Sequence, residues 1–83
     1  MLSSLQKDLL RQVIKAAREG RYCHGNGANW VFVDKDDFTR VIHVDHVRGT
    51  REVMSAADSE KYLRNSKPYH DEATAKSLEN FIK

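Results

Sequence analysis

Cys23, His24, His43 and His46 are the residues whose types could do chemistry directly, and they sit close together in one half of the chain. A zinc site needs nitrogen or sulfur ligands converging tetrahedrally at roughly 2.0–2.3 Å. His43 and His46 are three apart on an expected strand, so their side chains leave from opposite faces. Cys23 and His24 are adjacent and also diverge unless the loop bends sharply. The expectation is therefore no metal and no cofactor, with His46 pairing with Glu52 or solvent and Cys23 a small semi-buried residue. Nucleophilic catalysis would require a base within hydrogen-bond reach of the nucleophile and a site for the oxyanion. Sequence adjacency of Cys23 and His24 supplies neither, and a single acid–base histidine near Asp45 or Asp37 is an incomplete set. The spacing points to a protein that is not an enzyme. Gly25-Asn26-Gly27 could offer backbone N–H groups to a phosphate, but phosphate loops run from a strand into a helix N-terminus. This loop runs from a helix into a strand, so it reads as a glycine-rich chain reversal.

The segment His43-Val44-Asp45-His46-Val47-Arg48-Gly49 resembles the start of an HNH nuclease finger, in which a histidine closes a strand ahead of a loop. That resemblance implies an asparagine and a second histidine downstream on one metal-binding helix. Asn65 and His70 are the nearby candidates, and Pro68 between them would break such a helix. A nuclease is the least favoured of the functions weighed.

The stronger signal is a row of positive charge. From Ser3 to Glu19, Leu5, Leu9, Leu10, Val13, Ile14 and Ala17 recur at helical spacing. At 100° per residue, Lys7, Arg11, Lys15 and Arg18 fall within an arc of about 80° on the other side. Arg21 follows at the edge of this row, and Arg40, Arg48 and Arg51 come later. Lys7, Arg11, Lys15, Arg18 and Arg21 are the expected partner-binding residues. An acidic patch on another protein is the leading partner, and nucleic acid is the alternative. The order helix–three strands–helix is also similar to that of double-stranded RNA-binding domains. In that family the final helix starts lysine-rich, whereas His70-Asp71-Glu72 is acidic, and a shared topology does not carry function.

The elements that must position these residues follow from pattern. Ser3 and Gln6 have capping-box spacing, and Gly20 is a natural stop. Arg21 to Asn29 reads as a loop. Trp30 to Val33 is an aromatic and β-branched strand closed by Asp34-Lys35-Asp36-Asp37, and Phe38 to Val47 is a longer second strand. Arg48-Gly49-Thr50 turns into a short third strand, Arg51 to Met54. Placing Val47 opposite Thr50 would set Asp45 against Glu52, and like charges directly opposed are unfavourable. A shift by one puts His46 opposite Glu52 and Val44 opposite Met54, while the first turn sets Trp30 opposite Ile42. One face then holds Trp30, Phe32, Ile42, Val44 and Met54. The other holds Val31, Val33, Val41, Val47 and Val53, interrupted by His43 and Asp45. Two apolar faces both need cover, which argues for a twofold homodimer as well. Ser55 to Asn65 reads as a helix ended by Lys67-Pro68. Asp71 caps a last helix with the stripe Ala75, Leu78, Phe81 and Ile82.

The expected fold is α+β. A three-stranded antiparallel meander packs with an N-terminal amphipathic helix and two short C-terminal helices, in the order α-β-β-β-α-α. The 83 residues form one small domain, residues 1–83, near the size at which a single core becomes marginal. A hydrophobic fraction of 40% with 31% charged residues excludes a disordered chain. Net charge is only +2, so any basic surface has to come from local clustering. No membrane span or signal peptide is visible, and a single cysteine suits a reducing cytoplasm. The function expected is that of a small cytoplasmic binding or regulatory protein occupying a surface of a larger macromolecule. An inhibitor or modulator of the size of phage and mobile-element accessory proteins fits that description.

Overall fold

The computed structural model describes residues 1–83. Its first helix, α1 (Ser4–Arg18), starts where the capping box predicts. The Ser3 hydroxyl accepts from the Gln6 amide at 3.1 Å, and the Gln6 side chain accepts the Ser3 amide at 2.8 Å. Both bonds satisfy N–H groups that have no partner within the helix. Past Glu19 the chain reverses at Gly20, whose φ of +76° is open to glycine at little cost.

Four strands follow where three are expected: β1 (Tyr22–Gly25), β2 (Asn29–Val33), β3 (Val41–Asp45) and β4 (Thr50–Val53). They form an antiparallel sheet in the order β1-β2-β3-β4. The additional strand, β1, lies in the segment that reads as a loop. It is four residues long, its register slips between Tyr22 and His24, and its last residue is a glycine. A bulge of this kind destroys the period-2 alternation by which a strand is recognised. Gly25 is required by close approach, because a Cβ there would collide with the Trp30 ring and the Tyr22 hydroxyl.

Both inner registers differ from expectation. Trp30 lies opposite Val44, two residues from the expected Ile42. Asp37 Oδ1 accepts the Thr39 amide, and the Asp34 amide donates to the Arg40 carbonyl at 3.0 Å. Phe38 to Arg40 are thereby held in the turn and β3 begins only at Val41. At the next turn Asp45 accepts the Arg48 amide on Oδ1 at 3.0 Å and the Gly49 amide on its carbonyl at 2.9 Å. The turn thus spans His46–Gly49, and Asp45 pairs with Thr50 and His43 with Glu52, instead of His46 with Glu52.

A shift of two keeps Trp30, Phe32, Ile42 and Val44 on one face. The odd shift at β4 exchanges Met54 and Val53, so Met54 leaves that face and Val53 joins it. On the first face α1 packs over β2 and β1, and α3 (Glu72–Ile82) packs against α1. Leu10, Val13, Ala17, Trp30, Phe32 and Leu78 are among the buried residues of this main core. On the opposite face α2 (Ala56–Leu63) covers Cys23, Val33 and Val41, with Met54, Tyr62 and Leu63 closing around them. Ser59, fully buried, accepts the Val41 amide at 2.9 Å and pins α2 to the sheet. The rest of that face is polar, with Asn29, His43, Asp45, Thr50 and Glu52 around a shallow hollow. Val47 is in the turn, exposed. The second face is thus apolar only at its α2-covered end, around Val33 and Val41, and the cover it needs there comes from the chain itself.

His46 is 4% exposed and its Nδ1 accepts the Trp30 indole N–H at 3.0 Å. Its ring meets Phe81 of α3 edge to face, at 6.2 Å between centroids. His46→Phe keeps the ring contact and leaves the indole N–H without a partner. It should cost about 1–3 kcal/mol, the usual penalty for an orphaned buried donor. Urea unfolding followed by the fluorescence of this sole tryptophan measures the cost, and an unchanged midpoint would show that the bond does not stabilise the fold.

Candidate binding surface

The five cations expected to bind a partner divide in the structure into two groups. Arg21 is turned inward and is 5% exposed. Its Nη1 donates to the Val33 carbonyl at 2.7 Å and its Nε to Glu19 at 2.8 Å, with the guanidinium carbon 5.8 Å from the centre of the Phe32 ring. The Arg21 guanidinium is thus committed to the core. Arg18 is committed across the helix pair. It pairs with Glu79 at 2.9 Å and with Glu72 at 3.2 Å, both on α3. Those carboxylates raise the pKa of Arg18, and Arg18 holds the carboxyl of Glu79 below its ordinary value.

Lys7, Arg11 and Lys15 remain. They stand at i, i+4 and i+8 on α1, with Arg11 and Lys15 exposed and Lys7 half-buried beside Phe81 and Ile82. Arg11 touches Asp8 at 2.8 Å, an exposed pair of little energetic weight. Lys7 and Lys15 stand in no ion pair. Beside Lys15 a cleft of about 520 Å³ opens between α1 and β4. Phe32 and Ile42 form its apolar floor, Arg21 lies in its wall, and Lys15, Lys35, Arg51, Asp34 and Asp36 line it. The Arg51 Nε donates to Gln12 Oε1 at 2.9 Å, which fixes the arginine against α1. Arg51 and Lys35 are absent from the expected set because only the β3–β4 register and the Asp34–Arg40 turn bring them beside Lys15.

The remaining candidates do not converge. His43 looks out from the polar face and His24 is exposed, whereas His46 is enclosed in the main core. Among His, Cys, Asp and Glu, no three side chains gather in a way that could hold a metal ion. Asn65 follows α2 and His70 precedes α3, so the pair called for by the HNH resemblance does not share a helix. Gly25–Gly27 belongs to the β1–β2 hairpin, where Asn26 Oδ1 accepts the Asn29 amide at 2.9 Å. No helix is long and apolar enough to cross a membrane. No family model matches the chain, and no curated protein or solved structure does either.

Two outcomes follow. Arg21→Ala leaves the Val33 carbonyl without its side-chain donor and should lower stability by about 1–3 kcal/mol, whereas Lys15→Ala should stay within about 0.5 kcal/mol in the same urea titration. Equal effects would mean that Arg21 is not a core residue. Burial pushes the Cys23 thiol up to about 11, so it stays protonated at neutral pH. Iodoacetamide at pH 8 should label it only after unfolding, and prompt labelling of the native protein, read by mass, would contradict the packed position.

Proposed function

We propose that this protein is a non-enzymatic binding protein that docks on an acidic surface of another protein through Lys7, Arg11 and Lys15 and the adjoining cleft. The observation that carries this reading is the division of the cations. Arg18 and Arg21 are bound to the protein's own carboxylates and carbonyl, while Lys7 and Lys15 stand in no ion pair, Lys15 exposed beside the cleft and Lys7 half-buried beside Phe81 and Ile82. No ion pair or hydrogen bond within the fold uses their charge.

A protein is favoured over nucleic acid by the mixture of signs. Asp8 sits beside Arg11, Glu19 holds Arg21, and Asp34 and Asp36 share the cleft with Lys15 and Lys35. A phosphate backbone rewards a continuous positive track. Carboxylates spaced among lysines suit a protein surface of complementary but mixed charge, where they fix orientation and exclude wrong partners. The inhibitor or modulator role expected from the size of the chain belongs to the same proposal.

The test uses Lys7→Glu/Arg11→Glu/Lys15→Glu beside the wild-type protein. Each is immobilised to capture a partner from nuclease-treated native lysate, and the isolated partner is then titrated in a salt series. The variant should melt within a few degrees of wild type, since none of the three residues is fully buried or bonded to a core group, and should bind at least about tenfold more weakly. Undiminished binding would reduce the row to a solvated helix face. Capture that nuclease abolishes, or a log–log salt slope near −0.9 per phosphate, would transfer the surface to nucleic acid.

A further inference from the structure

We propose that β4 accepts an extended acidic segment of the partner as a fifth strand, with the acidic side chains entering the cleft beside Arg51, Lys15 and Lys35. This rests on the protein-partner reading above and supplies its docking mode.

The two edges of the sheet are treated differently. At β1 the chain closes its own edge: the Tyr22 amide donates to the Tyr69 carbonyl at 3.2 Å and the Tyr69 amide returns to the Tyr22 carbonyl at 2.8 Å. At β4 no segment does this, and all four residues are exposed. The Met54 amide donates to the Val41 carbonyl at 2.9 Å, which marks Met54–Val41 as a hydrogen-bonded pair. Pairs alternate along an antiparallel ladder, so Glu52–His43 and Thr50–Asp45 are hydrogen-bonded as well. Arg51 and Val53 then turn their N–H and C=O groups outward, away from β3. An added strand would find these groups free, which is the recognition mode of strand addition.

The same two residues put their side chains on the cleft face, since Arg51 lies opposite Val44 and Val53 opposite Ile42. Val53 is 48% exposed, and Arg51, Lys15 and Lys35 stand in no ion pair. Asp34 Oδ1 is already occupied by the Asp36 amide at 2.7 Å, which leaves Asp36 as the carboxylate without a partner there. A strand carrying acids at alternate positions would aim all of them into this cleft.

A second copy of the chain fits the edge poorly. Antiparallel pairing of β4 with itself places its twofold axis perpendicular to the sheet, so only residues of the same face can stand opposite. The central registers then set Arg51 against Arg51 or Glu52 against Glu52, and like charges directly opposed destabilise the pair. These charges blunt self-pairing while leaving the backbone open to an acidic strand.

The probe is a capped peptide, Thr-Glu-Thr-Glu-Thr-Glu-Thr, titrated to millimolar concentration into the ¹⁵N-labelled protein, with the Thr-Lys counterpart as control. Saturable shifts should centre on the Arg51 and Val53 amides, and the lysine peptide should bind at least about tenfold more weakly. Val53→Pro deletes an outward N–H without touching the ladder to β3, so it should abolish these shifts while the rest of the spectrum keeps its dispersion. If proline disturbs the fold, Lys15→Glu/Arg51→Glu keeps the backbone and should weaken the peptide at least about tenfold. The inference is overturned by no saturable shift, by shifts centred elsewhere, or by equal binding to the folded variants. It is also overturned if β4 shifts appear on concentrating the protein alone, with twice the chain mass, because a second copy then takes the edge. Failure of the peptide together with loss of partner binding in the Lys7/Arg11/Lys15 variant would remove the strand mode and leave the protein-partner reading intact.

Discussion

The layer that covers the sheet is displaced toward one side, and the arrangement of the surface follows from that displacement. Strands stand about 4.7–4.9 Å apart, and a helix with its side chains is about 10–12 Å across. One helix can therefore cover about two strands. α1 lies over β2 and β1, and α3 packs beside α1 instead of over β4. Ala16 and Ala17, both fully buried, let the helix backbone approach its neighbours closely. The indole of Trp30 and the imidazole of His46 fill the ground between the sheet and Phe81. Two helices could have spanned four strands. Because both lean toward β1, the β4 side of the same face stays open.

That displacement sorts the charges of α1. A helix squeezed between a sheet and a second helix has little circumference left for solvent. Arg18, on the side turned to α3, meets Glu72 and Glu79 and holds the two helices together. Arg21, at the exit from the helix, meets the end of β2 through the Val33 carbonyl. Arg11 and Lys15 keep the remaining arc, Lys7 lies half-buried beside Phe81 and Ile82, and Lys15 overlooks the cleft that the displaced layer leaves beside β4. The cations bound into the fold, Arg18 and Arg21, and those left exposed, Arg11 and Lys15, thus come from one row of the sequence.

The parts legible in the sequence were those whose determinants are local. The capping box, the apolar stripe of α1, the Asp71 cap and the shared face of Trp30, Phe32, Ile42 and Val44 depend on spacing within one element, and the structure contains all of them. β1 was hidden because a bulge and a glycine erase its alternation over four residues. The rule that kept Asp45 away from Glu52 is obeyed, yet the register differs by three at β4. The turn is set by Asp45 accepting two amides, and side-chain capping of that kind leaves no periodic trace. The roles of Arg18 and Arg21 were illegible for a related reason. Their partners lie far along the chain, at Glu72, Glu79 and Val33, and only packing brings them near.

Arg51 shows how far a local misreading travels. With His46 set opposite Glu52, Arg51 would be assigned to the opposite face from Val44, and no cleft would join it to Lys15. The observed register moves its side chain across the sheet, because the face on which a strand residue emerges changes with every odd shift. The cluster of Arg51, Lys15 and Lys35 is therefore a property of the Asp45 turn as much as of the cations themselves. Loosening that turn would scatter the cluster without altering one of its charges.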